Sequence, residues 1–433
     1  MTDHSYWLDT LGHSAVDSPQ SFVQRRQSPI ASRRYDVVIV GAGYTGLSAA
    51  RTLAHAGADV LVAEREEVGW GASSRNAGQV LTGLRLEPAT LVARYGSVRA
   101  RQLFEVARAS IARLEAVVAD EAIDCRYERV GHIQAASTPG HFKAFREERS
   151  LLARVFDHRV ELVSRAEQRS ELASDLYHGL LVDERSGALN PAQYVHGLAT
   201  AAARAGARLT TGVAVTGVST RSDRWTVSTS CGDVDARDIL FATNGYTDHA
   251  APGLQRRFVP IGSYIIVTEA LTAEIAASLL PRRRTAFDSR HFLHYFRLTP
   301  DRRLLFGGRA EFSRPDPATT RRAADILRRD LERVFPQLAG ISIDYAWGGR
   351  VGFTRDQMPR AGKLDGMYYA GGYCGHGIAM ATYLGEQIAR RMAGEPIEDP
   401  LFDDRFPAIP MYSGNPWFLP VVGAYYRFKD LVG

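Results

Sequence analysis

A chain of 433 residues is too long for one ordinary hydrophobic core, and two closely packed domains are expected. Its 45% hydrophobic and 23% charged residues suit a soluble globular enzyme, and a formal charge of only +5 argues against a nucleic-acid surface. Of 53 basic residues only Lys143, Lys363 and Lys429 are lysines, and the arginines are spread along the chain without a dense run.

The same count of residue types narrows the compartment. Cys125, Cys231 and Cys374 lie far apart, which argues against a disulfide framework or a zinc site and fits a reducing, cytoplasmic environment. No apolar stretch reaches the roughly 18 residues that a membrane helix needs, so no integral membrane segment is expected. Arg33-Arg34 ahead of VVIV has the outline of an export signal, but Asp36 and the glycines that follow read better as a strand and a turn.

Residues 1–34 form a polar arm. YDVVIV (35–40) is then a short run rich in β-branched residues, the pattern of a buried parallel strand. Gly41-Ala42-Gly43-Tyr44-Thr45-Gly46 follows, then the alanine-rich helix LSAARTLAHAG and a second strand, ADVLVAE, that ends at Glu64 beside Arg65. Gly41 permits a tight turn, Gly43 lets a pyrophosphate approach the backbone, and Gly46 lets the helix lie close to the strand. The helix N-terminus, with the N–H groups of Tyr44 and Thr45, offers free donors and a partial positive charge to phosphates. Glu64 is placed to accept hydrogen bonds from ribose hydroxyls, which favours FAD or NAD over NADP.

Residues 68–79, VGWGASSRNAGQ, neither fill a core nor form a good helix. Gly71, Ala72, Ser73, Ala77 and Gly78 allow backbone to lie against a flat ligand. Arg75, Asn76 and Gln79 add polar groups, the arginine a fixed fork for phosphate or for the electron-rich edge of a ring. Helical material is expected at 97–120 and 140–175. The stretch 207–244 alternates short strands with polar turns. HYFRLTPDRRLLFGGRAEF (294–312) reads as a hairpin in which His294 and Phe296 share one face, Tyr295 and Arg297 the other. An amphipathic helix near 318–335 turns Ile326, Leu327, Leu331 and Val334 to one side.

A second strand–turn–helix closes the chain. YYA is the strand, Gly371-Gly372-Tyr373-Cys374-Gly375-His376-Gly377 the turn, and the helix begins at Ile378. Its amides suit the pyrimidine carbonyl of a flavin, which becomes more negative on reduction. Two glycine-rich helix starts suited to one extended cofactor favour FAD over NAD. The aromatic tail 415–433 is expected to pack on the body.

GAGYTGLSAA, Glu64 and GWGASSRNAGQ together resemble the FAD-dependent amine and amino-acid oxidoreductases of the D-amino-acid oxidase superfamily. The γ-glutamylputrescine oxidases among them resemble it most, since they share GWGASxRNxGQ and an aromatic pair like Tyr6-Trp7. The resemblance runs on through DILFATNGY (238–246), FVPIGSYIIVTE, the 294–312 hairpin, WGGRVGFTRDQMPRAG (347–362) and the closing turn. It implies that Thr243, Asn244, Gly245, Gly348 and Val215 of the VAV strand also come near the cofactor.

What it implies overall is an α/β fold, α+β over the whole chain: a Rossmann-type FAD-binding domain from 35–90, 185–253 and 345–400, and a discontinuous mixed-sheet substrate domain from 91–184 and 254–344. The tail, 401–433, packs on the body. Non-covalent FAD would take a hydride from the carbon next to a neutral amine, and the imine would then hydrolyse. Candidates over the ring are His294, Tyr295, Arg309 and Arg350, an arginine being suited to hold a substrate carboxylate. No metal site is expected. The partners would be a small amine or amino acid and oxygen or another electron acceptor. The hairpin lacks the lysine that sarcosine oxidase-like members use with oxygen, which leaves the acceptor open. A flavin monooxygenase, or a non-catalytic subunit stabilised by flavin, is the alternative.

Overall fold

Two sheets divide the chain, and the chemistry of their strands explains the division. In the computed structural model, which describes residues 1–12, 23–25, 33–221, 223–308 and 316–432, the apolar run Arg34–Val40 is the centre of a nine-stranded sheet. It pairs in parallel with Val60–Ala63 on one side and Gly232–Phe241 on the other. Arg208–Thr211 extends the parallel set beyond Val60–Ala63, and Met367–Gly371 joins the end of Gly232–Phe241. Val37, Val38 and Ile39 are fully buried because both faces are covered, one by the helices Tyr44–His55, Pro191–Arg204 and Ile378–Met392 and the other by strand and loop residues such as Val215, Val227 and Phe258.

The helix Tyr44–His55 crosses from Arg34–Val40 to Val60–Ala63, and the helix Ile378–Met392 follows Met367–Gly371. They lie against each other with little between them. A Cβ on Gly46 would stand 2.0 Å from the Gly41 carbonyl oxygen, and one on Gly385 would stand 2.4 Å from the Thr45 carbonyl oxygen. Both glycines are therefore packing requirements.

The second sheet has eight strands, in the order 343–353, 259–268, 304–308, 294–298, 285–288, 132–135, 180–183 and 161–163. Its pairs are antiparallel except for Thr285–Asp288 against His132–Ala135. The expected hairpin forms from His294–Leu298 and Leu304–Gly308, and the helix Pro317–Val334 covers that sheet with Leu327, Leu331 and Val334 buried.

Two expectations need correction. The strand Ile343–Phe353, assigned by sequence mostly to the flavin domain, pairs along its length with Val259–Thr268 and so belongs to the second sheet. Its glycines sit in a regular ladder. The helix expected over 140–175 stops at Phe156, since Asp157 takes left-handed backbone at φ 47° and Glu161–Val163 is a strand. Gly96, at φ 72°, interrupts the helical stretch Pro88–Asp120, so its longer part begins near the expected 97. In the tail, the Asp430 carboxylate accepts the N–H groups of His291 and Phe292, both at 2.9 Å, while Tyr412 donates to the Phe258 carbonyl.

Candidate active site

A cavity of about 550 Å³ runs between the two sheets and touches both glycine turns. At one end Val213, Val215, Glu64 and Arg65 line it; at the other stand Tyr295, Arg350 and the segment Tyr373–Ile378.

Glu64 is fixed by its own neighbours. One carboxylate oxygen accepts the Ala42 N–H at 2.8 Å and the other the Glu66 N–H at 3.0 Å. Burial raises its pKa, and those two donors oppose the rise. Each oxygen keeps a lone pair for a hydroxyl donor from the cavity. Arg65 reaches across the same end to an ion pair with Asp248.

The first glycine turn behaves as its sequence required. Gly41 has φ 104°, and Gly43 caps the helix with extended backbone. A side chain on Gly43 would meet Ser73 Oγ at 2.9 Å. That hydroxyl accepts the Tyr44 N–H at 3.1 Å, so one of the free donors at the helix start is already used. The Tyr44 ring is buried, with its hydroxyl donating to the Ser73 carbonyl at 2.6 Å. Tyr44 thus shapes the wall through its side chain instead of offering it to a ligand. Across the cavity, Thr45 Oγ1 and the Tyr373 hydroxyl share a hydrogen bond of 2.6 Å, which ties one turn to the other.

The small-residue segment is held both from within and from without. Asn76 Nδ2 donates to the carbonyls of Ala72 and Ser73, and Asn76 Oδ1 accepts the Gly78 N–H at 2.8 Å. From outside, Ser5 Oγ donates to the Ser74 carbonyl at 2.7 Å, Trp347 Nε1 to Arg75 at 3.0 Å and Trp7 Nε1 to Asn76 at 2.9 Å. Arg297 donates to the carbonyls of Ala77, at 3.4 Å, and Gly78, at 2.9 Å. Five consecutive carbonyls therefore point away from the cavity, each with a donor. Gly71, Ala72, Ser73, Arg75, Asn76, Ala77 and Gln79 form its wall. The Arg75 guanidinium lies 4.4 Å from the Trp70 ring centre and donates to the Trp70 carbonyl, and burial lowers its pKa.

Thr243 and Asn244 also face the cavity. Asn244 Oδ1 accepts the Gly372 N–H at 2.9 Å and so joins its own loop to the second glycine turn. Several glycines expected at the cofactor lie behind the wall. Gly46 packs helix on strand, Gly78 approaches Leu189, Gly245 approaches Gly352 and Gly372 approaches Thr354. Gly348 pairs with Tyr264 within the second sheet. A Cβ on Gly46, Gly78 or Gly245 would meet neighbouring backbone, and one on Gly372 the Thr354 methyl group.

Among the catalytic candidates, Tyr295 and Arg350 line the cavity. The Tyr295 hydroxyl is 2.9 Å from Ser263 Oγ, and Arg350 lies over Tyr246 at 5.2 Å. Arg309 lies outside the described residues. His294 is a correction. It points to the other side of its strand, where Nδ1 is 3.1 Å from Asp288 and Nε2 is 3.2 Å from Asp330. Burial alone would lower its pKa, but the two carboxylates outweigh it and raise it to about 9. With both nitrogens held by carboxylates, His294 lines a second cavity and not this one.

The sequence reading missed Arg85, Phe287, Leu293 and Leu81, which together with His376 line both this cavity and a second one of about 1290 Å³. Arg85 has no carboxylate partner among the described residues, and its Nε is buried without a hydrogen bond. An arginine six residues beyond Gln79, in a segment otherwise small and apolar, was the available signal. His376 Nδ1 is likewise buried without a partner; burial, and then the Arg85 charge, lower the ring's pKa to about 3.

These features were compared with known proteins. Residues 36–391 match the family model DAO, FAD dependent oxidoreductase. The chain belongs to this family of FAD-dependent oxidoreductases. It is 34% identical over 410 residues to gamma-glutamylputrescine oxidoreductase of Escherichia coli (strain K12), covering 92% of this chain and 93% of that one. It is 34% identical over 385 residues to a probable oxidoreductase OrdL of Rhizobium meliloti (strain 1021), covering 88% of each. Among solved structures it is similar to glycine oxidase from Geobacillus kaustophilus, with a TM-score of 0.71 and 20% identity over 88% of this chain and all of that one. Iminodiacetate oxidase from Chelativorans sp. BNC1 gives a TM-score of 0.69 and 21% identity over 86% of this chain and 98% of that one.

The FAD-dependent family's cofactor fits the cavity. Gly375, at φ 100°, leaves open space where a Cβ would stand, and His376 and Arg85, each with a buried polar atom that has no partner among the described residues, line the same cavity. Among the described residues no group of three or more His, Cys, Asp or Glu side chains is placed to hold a metal ion, and no helix is long and apolar enough to cross a membrane.

Proposed function

We propose that this FAD-dependent oxidoreductase oxidises the C–N bond of an extended amine, of the kind represented by γ-glutamylputrescine, to an imine that water then hydrolyses. One observation carries the choice of an extended substrate. The first cavity shares Leu81, Arg85, Phe287, Leu293 and His376 with a second chamber larger than itself. The likeness to the Escherichia coli gamma-glutamylputrescine oxidoreductase supports the same class.

Bound FAD supplies a two-electron acceptor for the hydride. Glu64 and Arg65 would hold its adenosine end, the turn from Gly41 to Thr45 its phosphates, and the segment from Tyr373 to Ile378 its ring end. The protein's part is to present a neutral amine, because an ammonium has no lone pair to support hydride loss. Arg85 does so without acting as a base: an uncompensated cation lowers the pKa of an amine bound beside it. The neutral His376 leaves that effect intact. Tyr295, hydrogen-bonded to Ser263, and Phe287 shield the reacting carbon from water. Cys374 donates to the Gly372 carbonyl at 3.1 Å, and burial raises its pKa to about 11, which supports FAD bound without a covalent link. The three cysteines, all free, support a cytoplasmic setting. Oxygen or another acceptor would reoxidise the flavin.

The test is anaerobic mixing of the purified yellow holoenzyme with γ-glutamylputrescine, putrescine, sarcosine and glycine. Bleaching of the flavin band by the first, faster than by the others, is expected. Bleaching by NAD(P)H alone would replace this proposal with a monooxygenase, and a flavin that none of these reduces would leave a non-catalytic role.

A further inference from the structure

The second chamber holds an electrostatic imbalance that the reaction at the flavin does not use. Most of the acids on its walls have partners. Asp183 is 3.2 Å from His158, Asp288 and Asp330 share His294, and Asp430 accepts two backbone N–H groups. Glu148, on the helix Pro139–Phe156, is different. No cation or hydrogen-bond donor holds its carboxylate among the described residues. Burial, and then the neighbouring Glu87 carboxylate, raise its pKa to about 7. A half-buried acid beside another acid is a standing cost, which a cation entering the chamber would reduce.

A second, independent feature points to a ligand in the same chamber. His132, only 4% exposed, is 2.7 Å from Thr285 through Nδ1 while its Nε2 is buried without a partner. Buried ring nitrogens are rarely left unsatisfied without reason. His132 lines the chamber and has an atom to offer a polar group lying between the two ends of a substrate.

We infer that the second chamber is a specificity site for a distal ammonium group, with Glu148, assisted by Glu87, as its counter-charge. The inference rests on the amine-oxidising role proposed above and deepens it. Arg85 lines both cavities, whereas Glu87 and Glu148 line only the second. The two amino groups of a substrate that carries one at each end therefore meet opposite fields: the one at Arg85 is driven neutral and reacts, and the one at Glu148 keeps its proton and anchors.

The experiment uses the holoenzyme and two probes that differ in one group, γ-glutamylputrescine and glutarylputrescine, the second lacking the α-ammonium. Calorimetric titration reads binding, and anaerobic flavin reduction reads the reaction. Wild type should bind the ammonium-bearing probe at least tenfold more tightly. In Glu148→Gln that ratio should fall towards one, and Glu148→Asp should restore part of it. Flavin content and the far-ultraviolet spectrum would report whether each variant is folded. Equal affinity of wild type for the two probes, absence of binding by both, or an unchanged ratio in folded Glu148→Gln would overturn the inference. Binding with the expected ratio but without flavin reduction would uphold the chamber's preference and remove the proposed reaction.

Discussion

Thr45 Oγ1 and the Tyr373 hydroxyl, 2.6 Å apart, join two turns separated by more than three hundred residues of sequence. Thr45 lies in the first turn of the helix Tyr44–His55, and Tyr373 in the glycine turn that leads into the helix Ile378–Met392. The bond fixes the spacing of those two turns, as a single extended cofactor held by both would require. Tyr373→Phe removes it at a cost of about 1 kcal/mol. FAD affinity, measured by fluorescence recovery on release, should drop several-fold, with little change in the fold. Unaltered affinity would mean that the two turns are aligned by other contacts.

The arm before the first sheet strand should control the shape of the flavin segment. Trp7 is fully buried and donates to the Asn76 carbonyl. Trp7→Phe loses that one hydrogen bond, about 1 kcal/mol, while Trp7→Ala also leaves a cavity and should cost roughly 3–5 kcal/mol. Thermal unfolding with and without added FAD separates the two. A Trp7→Ala protein as stable as Trp7→Phe would show that the arm's packing contributes nothing.

His294 makes stability depend on pH with a definite sign. It gains its partners, Asp288 and Asp330, only on folding, so its contribution is complete below the ordinary histidine pKa and is lost as the pH rises through about 9. The amount is on the order of 3 kcal/mol. Urea unfolding at several pH values between 6 and 10 should show the wild type weakening across this window and His294→Gln much less so. Activity of His294→Gln, corrected for folded fraction, should be retained. A large loss of turnover with stability unaffected would restore His294 to the chemistry.

Glycine substitutions should separate by the space around them. Gly46→Ala and Gly385→Ala drive a methyl group into backbone at 2.0 and 2.4 Å, and overpacking of this kind costs about 3 kcal/mol or more. Both proteins should emerge with little bound flavin. Gly217→Ala meets nothing within 4 Å and should retain its colour and melting temperature. Flavin-to-protein absorbance ratios of the three variants give the answer directly.

Glu64→Gln keeps an acceptor for one of the two N–H groups it now serves and loses the negative charge facing the ribose end. FAD binding should weaken by about tenfold, as expected for a charged hydrogen-bond acceptor made neutral. An unchanged dissociation constant would place the adenosine elsewhere.

Much of this protein was legible in its sequence, for identifiable reasons. Strand, glycine turn, helix and terminal acid from Arg34 to Glu64 are a local pattern, in which each residue's role depends on neighbours a few positions away. Tyr295 and His294 were correctly assigned to opposite faces, since alternation along a strand is also local. Which face meets the cavity was not legible: the carboxylates that claim His294 come from Asp288 and from Asp330 on a separate helix. The strand Ile343–Phe353 was misassigned for a similar reason, because its glycines carry no mark of the partner strand they pair with.

Sequence alone therefore determined the cofactor class and the two helix starts that would hold it, since backbone conformation and helix charge arise within short segments. Tertiary structure alone decided that five carbonyls of residues 74–78 turn outward to Ser5, Trp7, Trp347 and Arg297, and that among the described residues Arg85 faces both cavities without a carboxylate partner and Glu148 without a cation. Hydrogen bonds and charges of this kind are properties of distance, and the residues involved come from stretches that become neighbours only when the two sheets close on each other.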